Sequence, residues 1–192
     1  MNRTASDIRS RLMDFWFGDP ISTTDPDGEM KPFWFHSTPE YDQELRINFE
    51  EAYVQARKGV LDTITDTPEG VLVLILLLDQ LPRNIFRGTR QAFESDSLAN
   101  RWAKHAIALG YDQALSKWQK MFMYMPLEHS ESIEDQNQSV KLFRILGDDQ
   151  LLKHALEHQD MILRFGRFPT RNHILQRKNT PEEIVFLQEI AS

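Results

Sequence analysis

The sequence contains no cysteine, and this absence excludes several classes of site. Disulfides, thiolate zinc sites, iron–sulfur clusters and cysteine nucleophiles all require a thiol. Long apolar runs are also missing: the longest, residues 71–78, is far short of the roughly 20 residues that span a bilayer. The first residues lack the apolar core of a signal peptide. We therefore expect a soluble, cytoplasmic protein with no membrane association.

Positive charge is scarce. The 22 lysines and arginines are outnumbered by 29 aspartates and glutamates, which gives a net charge of −7. Nucleic acid is thus not an expected partner, because phosphate backbones are bound through a basic field. The hydrophobic content of 41% is ordinary for a globular protein, and 192 residues are enough for one well-buried core. We expect a single domain over residues 1–192.

Apolar residues recur at steps of three and four along most of the chain, and no segment shows convincing strand alternation. This pattern predicts an all-α fold of about eight helices in antiparallel neighbours. The first predicted helix has Ser6 or Asp7 as its N-cap, and the second runs from about 39 to 57. The next three begin at Thr67, at Ser95 or Asp96, and at Asp112, the last of them ending at Pro126. Two more run over about 131–146 and 149–165, and the final one begins at Thr180. The breakers within residues 19–33 predict a long loop that covers part of the molecule and is anchored by Trp34 and Phe35.

The run 71–78 has no polar face, so as a helix it must be surrounded by other elements. It ends at Asp79. An acid there lies at the negative end of the helix dipole and beside buried leucines, which is unfavourable unless cations or donors pair with it. The sequence therefore predicts a buried central helix whose terminal aspartate has a cationic partner.

Other polar residues fall where the helical period requires apolar ones. Gln136 lies on the apolar stripe of the helix over 131–146, and His158 lies on that of the next helix. Residues 127–131 place Glu128, His129 and Glu131 at a helix start, and residues 164–171 alternate arginines with aromatics and backbone breakers. We expect these groups and residues 79–87 to form one polar centre enclosed by apolar helices.

Four motifs together resemble the bacterial domain of unknown function 924 family. They are DFWFG at 14–18, DQLPRN at 79–84 with FRGT at 86–89, LEHSE at 127–131, and FGRFP at 165–169 with RN at 171–172. The resemblance extends over essentially the whole chain and implies a tetratricopeptide-like helical fold, but no activity. Two departures are Thr170, where the family has histidine, and Gln176, where it has glycine before Arg177.

The first functional hypothesis is a site for a small anion, because guanidinium groups match carboxylate and phosphate geometry. Its candidate residues are Asp79, Arg83, Asn84, Arg87, Glu131, Gln136, His158, Arg167, Arg171 and Asn172. His129, flanked by acids, is the candidate for proton transfer. The alternative is a closed Asp–Arg network that fixes how helix ends meet, with His158 as a satisfied core histidine.

Two further functional hypotheses are a metal site and a protein-interaction module. His154 and His158 are spaced to hold one ion with Glu128, His129 or Glu131, but His154 lacks the acidic partner of a known motif, so we predict no metal and no cofactor. A helical protein-interaction module is the alternative to a ligand site, and an exposed patch of Trp34, Phe35 and residues 121–125 would favour it.

Overall fold

A computed structural model describes residues 4–18 and 30–191. Over these residues all regular structure is helical, which confirms the predicted fold class. The helices are α1 (Ala5–Phe17), α2 (Pro39–Arg57), α3 (Pro68–Ile75), α4 (Leu81–Ile85), α5 (Asp96–Ala108), α6 (Lys117–Glu128), α7 (Ile133–Leu146), α8 (Asp149–Phe165), α9 (Asn172–Leu175) and α10 (Pro181–Glu189). Short 3₁₀ turns over Pro32–Trp34, Asp62–Ile64, Arg90–Phe93, Tyr111–Ala114 and Pro169–Arg171 connect them.

Some predicted helix ends were wrong. The N-cap of α1 is Thr4 rather than Ser6 or Asp7, because the Thr4 side chain accepts a hydrogen bond from the Asp7 amide. Asp112 lies within the 3₁₀ turn Tyr111–Ala114, and α6 starts after Ser116. Pro126 does not end α6.

Helix α6 continues through Pro126 to Glu128, and side chains from other helices satisfy carbonyls at its end. Asn100 donates to the carbonyl of Pro126 (3.1 Å), and Gln136 donates to that of Glu128 (2.7 Å). A helix end that finds such donors can be buried without loss.

Helix α3 is the buried centre of the molecule, as predicted. Every residue from 71 to 78 is fully inaccessible, and α1, α2, α5 and α6 pack around this segment and the turn that follows it. Thr67 is the N-cap, accepting from the Gly70 amide (3.1 Å). Gly70 itself lies against the preceding turn, where an added Cβ would be only 1.7 Å from the carbonyl oxygen of Ile64.

After α3 the backbone forms one π-helical turn, Leu76–Gln80, before α4. Pro82 explains why the ladder changes here: it has no amide to donate to the carbonyl of Leu78, its partner in α-helical register. Ser95 supplies the missing donor, with its Oγ 2.6 Å from that carbonyl. The extra residue of the turn leaves both Asp79 and Gln80 buried, directed into the interior between helices.

Helices α6, α7 and α8 pack consecutively, with Gly147 and Asp148 forming the tight connection between the last two. This stack brings the end of α6 beside Gln136 and His158. Of the predicted covering loop, residues 19–29 lie outside the described part of the chain. Its predicted anchor is confirmed for Trp34, which is buried and donates to the Trp16 carbonyl (2.9 Å), whereas Phe35 is 45% exposed.

Candidate functional site

Asp79 has the cationic partner that its position requires. Its carboxylate lies 3.2 Å from Arg83 Nη1 and 2.8 Å from His129 Nδ1, and Gln80 donates to its other oxygen at 2.5 Å. Burial alone would raise the pKa of this carboxyl, but Arg83 and His129 outweigh burial and hold it well below the usual range. Asp79 is therefore ionised and can only accept hydrogen bonds.

The ionised Asp79 determines the tautomer of His129. Burial and Arg83 lower the pKa of His129, so the imidazole is neutral near pH 7 and its Nδ1–H donates to Asp79. The second ring nitrogen, Nε2, is then an unprotonated base. It has no hydrogen-bond partner among the residues that the structure describes. An aspartate that fixes a histidine in this way is a common arrangement for general-base catalysis.

Asp96 joins two arginines to this centre. Arg83 binds both of its oxygens (2.8 and 3.0 Å), and Arg171 Nη1 contacts one of them at 3.3 Å. The Arg171 guanidinium lies between the rings of Phe93 and Phe168, 4.9 and 4.3 Å from their centroids. Burial and the charge of Arg83 lower the pKa of Arg171 to about 10, so it stays cationic at neutral pH.

A polar cavity of about 550 Å³ opens beside these groups. His129 and Arg171 both line it, together with Phe93, Asp96, Ser130 and Glu131. Within residues 4–18 and 30–191, the contact with Asp96 is the one hydrogen bond that Arg171 makes. The cavity therefore contains guanidinium donors that have no protein acceptor, near a histidine with an unprotonated nitrogen.

The sequence matches a family model described as bacterial protein of unknown function (DUF924) over residues 12–191. The chain belongs to this family. A solved structure of a protein of unknown function from Agrobacterium tumefaciens, ATU0120, is similar to it, with 39% identity and a TM-score of 0.85 over 97% of this chain and 99% of that one. No curated protein matches the chain. The resemblance seen in the four motifs is thus confirmed.

In this DUF924 protein Glu131 is part of a closed salt-bridge network rather than of an open anion site. Arg177 binds both carboxylate oxygens (2.8–3.0 Å), and the Phe168 amide donates to one of them at 2.8 Å. Arg177 also donates to Asn172, which is buried and bonded to Asn179. Arg177 was not among the predicted site residues, although the glycine expected just before it was a signal that the backbone turns sharply there.

Arg167 is bound to the C-terminal helix, α10. Its guanidinium binds both oxygens of the buried Glu183 (2.6 and 2.8 Å) and the carbonyl of Lys178. Glu183 in turn accepts from the amide of Thr180 and completes the predicted capping box of α10. Arg167 therefore holds α10 and lies outside the polar cavity.

Asn84 and Arg87 lie on the other side of the π-helical turn, against the start of α2. Both donate to Asp42 (2.7 and 3.1 Å) and to the Ser37 hydroxyl. The structure does not bring these two candidates into the polar centre.

Gln136 is fully buried, and its amide nitrogen donates to the carbonyls of Glu128 and Ser130 (both 2.7 Å). Its role is to close the end of α6. His158 Nδ1 lies 3.1 Å from the Glu128 carboxyl and 3.3 Å from the Glu128 carbonyl. His158 and Glu128 line a second cavity of about 500 Å³, which also borders His129.

The structure also bears on the metal site, the protein-interaction module and membrane association. No three histidine, aspartate or glutamate side chains converge as metal ligands within the described ranges, and His154 pairs with Glu157 rather than with His158. In the aromatic and methionine patch, Trp34 and residues 121–124 are buried. No helix in the described part of the chain is both long and apolar enough to cross a membrane.

Proposed function

We propose that this protein binds a small carboxylate- or phosphate-bearing molecule in the polar cavity and that His129 acts as a general base on it. The observation that carries the proposal is the pairing, in one cavity, of Arg171 with unsatisfied donors and His129 with its tautomer fixed by Asp79. The first supplies a forked cation for the anion. The second supplies a base of the correct protonation state near neutral pH.

The charges around this cavity are compatible with an anionic ligand. Arg83 and Arg171 are opposed by Asp79 and Asp96, and Glu131 is neutralised by Arg177, so an incoming anion meets a balanced centre rather than a repulsive one. Stacking between two phenylalanine rings fixes the plane of the Arg171 guanidinium in advance. A donor held in this way loses little freedom when a ligand binds.

Binding is tested by a thermal-shift screen of inorganic phosphate, small mono- and dicarboxylates and nucleotides against the wild type, Arg171→Lys and Arg164→Lys. Arg164 is the matched control, because it is exposed and pairs with Glu182 at the base of α10. We expect one class of anion to raise the melting temperature of the wild type and the control but not that of Arg171→Lys, since lysine keeps the charge and loses the fork. Equal shifts for all three proteins would contradict the site.

General-base action is tested once a ligand has been identified. His129→Gln should leave binding within a few-fold and lower the rate of any turnover by about 10²–10⁴, the usual contribution of a positioned base. If the anion binds but undergoes no reaction with the wild type or with His129→Gln, the protein only binds its ligand. That result would contradict the catalytic part of the proposal.

A further inference from the structure

The second cavity differs from the first in the side chains that line it and in the charged groups among them. Apolar side chains form most of its surface, among them Met121, Met125, Phe143 and Leu151. Lysine and arginine are absent from the lining formed by the described residues, and the single acidic group is Glu128. We call it the apolar cavity. A carboxyl group in such walls is unfavourable when ionised unless a cation accompanies it.

Glu128 is more than nine-tenths buried, yet only part of its carboxyl group is used by the protein. One oxygen, Oε1, contacts His158 Nδ1 at 3.1 Å. Oε2 has no hydrogen-bond partner among residues 4–18 and 30–191. Burial and the nearby Asp79 carboxylate raise the pKa of Glu128 to about 8, and burial lowers that of His158 to about 4. At pH 7 Glu128 is therefore protonated and His158 is neutral, with its Nδ1–H directed at the Glu128 carbonyl.

We propose that the apolar cavity is a binding site for a protonated amine with an apolar substituent, whose ammonium group pairs with Glu128. The apolar walls would take the hydrocarbon part, and the free carboxyl oxygen would accept from the ammonium. The methionine and phenylalanine side chains suit a cation because thioethers are polarisable and ring faces carry the negative part of the ring quadrupole. The proposal is independent of the anion site, whose lining contains arginines that the apolar cavity lacks.

Binding of such a cation must displace the proton of the Glu128 carboxyl. An ammonium beside Glu128 favours its carboxylate form, and His158, among neighbouring cations, does not retain the proton. The ionisable groups that surround the pair are Asp79, Arg83, His129, His154, Arg171 and, across the cavity, His36. Proton release into solution is a signature that a purely structural Glu128–His158 contact would not give.

The test is isothermal titration of the wild type with hexylammonium chloride at pH 7 in two buffers of different ionisation enthalpy. With a pKa of about 8 for Glu128, we expect release of about 0.9 proton per amine at pH 7 and about 0.1 at pH 9. Hexanoate, of the same length and opposite charge, should bind at least about tenfold more weakly. This readout uses the unaltered protein, so it does not depend on a variant that folds.

Glu128→Gln should weaken hexylammonium binding at least about tenfold and abolish proton release, whereas the exposed Glu51→Gln on α2 should change neither. The proposal is overturned if hexylammonium gives no binding heat, if hexanoate binds equally well, or if no proton is released at pH 7. Because no anion takes part, such a failure would leave the polar cavity and its proposed ligand untouched.

Discussion

Arg83 and Arg171 share Asp96, but their removal should have different consequences. Arg83 neutralises the buried Asp79 and shares the half-buried Asp96 with Arg171, so Arg83→Ala leaves the Asp79 carboxylate buried without its arginine and should lower the free energy of unfolding by about 3–5 kcal/mol. Arg171→Ala leaves Asp96 paired with Arg83, and loses ring stacking and one long hydrogen bond, about 1–2 kcal/mol. Urea denaturation of both variants measures this difference. Equal losses would show that Arg171 is part of a structural lock and not held for a ligand.

Gln176 is the non-glycine residue with positive φ (56°) in the described part of the chain, and it stands where the family resemblance led us to expect glycine. A side chain in this left-handed conformation is destabilising by about 1–2 kcal/mol. Gln176→Gly should therefore raise the free energy of unfolding by about 1 kcal/mol, while Gln176→Ala, which keeps the Cβ, should change it little. A thermal melt that shows no gain for glycine would indicate that the strain is relieved elsewhere.

At the level of the elements, the π-helical turn depends on one side chain from a different helix. Ser95→Ala removes the donor to the Leu78 carbonyl and should cost about 1–3 kcal/mol, whereas Ser97→Ala, exposed on the same helix, should lie within about 0.5 kcal/mol of the wild type. In a Pro82→Ala background the new amide can replace Ser95. The double-mutant cycle should therefore show a smaller loss for Ser95→Ala. Additive losses would mean that the proline does not set the local ladder.

The residues around the same turn show which features could be predicted from the sequence and which could not. The paired, buried Asp79 followed from an acid at the end of an apolar helix, and this required no knowledge of the partner. Asn84 and Arg87 were grouped with it on sequence proximity, but the extra residue of the turn and the short α4 direct them towards α2. Asp96 and Arg177 were missed because their partners are distant in sequence, and periodicity carries no information on such pairs.

At the scale of the whole molecule, the protein surrounds His129 with two cavities of different chemistry. The polar cavity has Arg171 and a balanced set of charges, and the apolar cavity has a neutral carboxyl group among methionine and phenylalanine side chains. The end of α6 supplies Glu128 to one and His129 to both. One helix end thus links two titratable pairs, Asp79–His129 and Glu128–His158, and their protonation sets how overall stability depends on pH.

The free energy of unfolding should be nearly level between about pH 4.5 and 6.5 and should fall as the pH rises further. The pKa of His158 is lowered to about 4, so its contribution is present above its ordinary pKa of 6.5 and is lost as the pH falls towards 4. The pKa of Glu128 is raised from 4.5 to about 8, so stability is lost as the pH rises through that interval. The two slopes oppose each other up to pH 6.5, and above it Glu128 acts alone, at up to about 1.4 kcal/mol per pH unit. Urea denaturation from pH 5 to 9 measures this profile. Glu128→Gln should flatten the limb between pH 6.5 and 8, and an unchanged slope in that variant would assign the loss to another group.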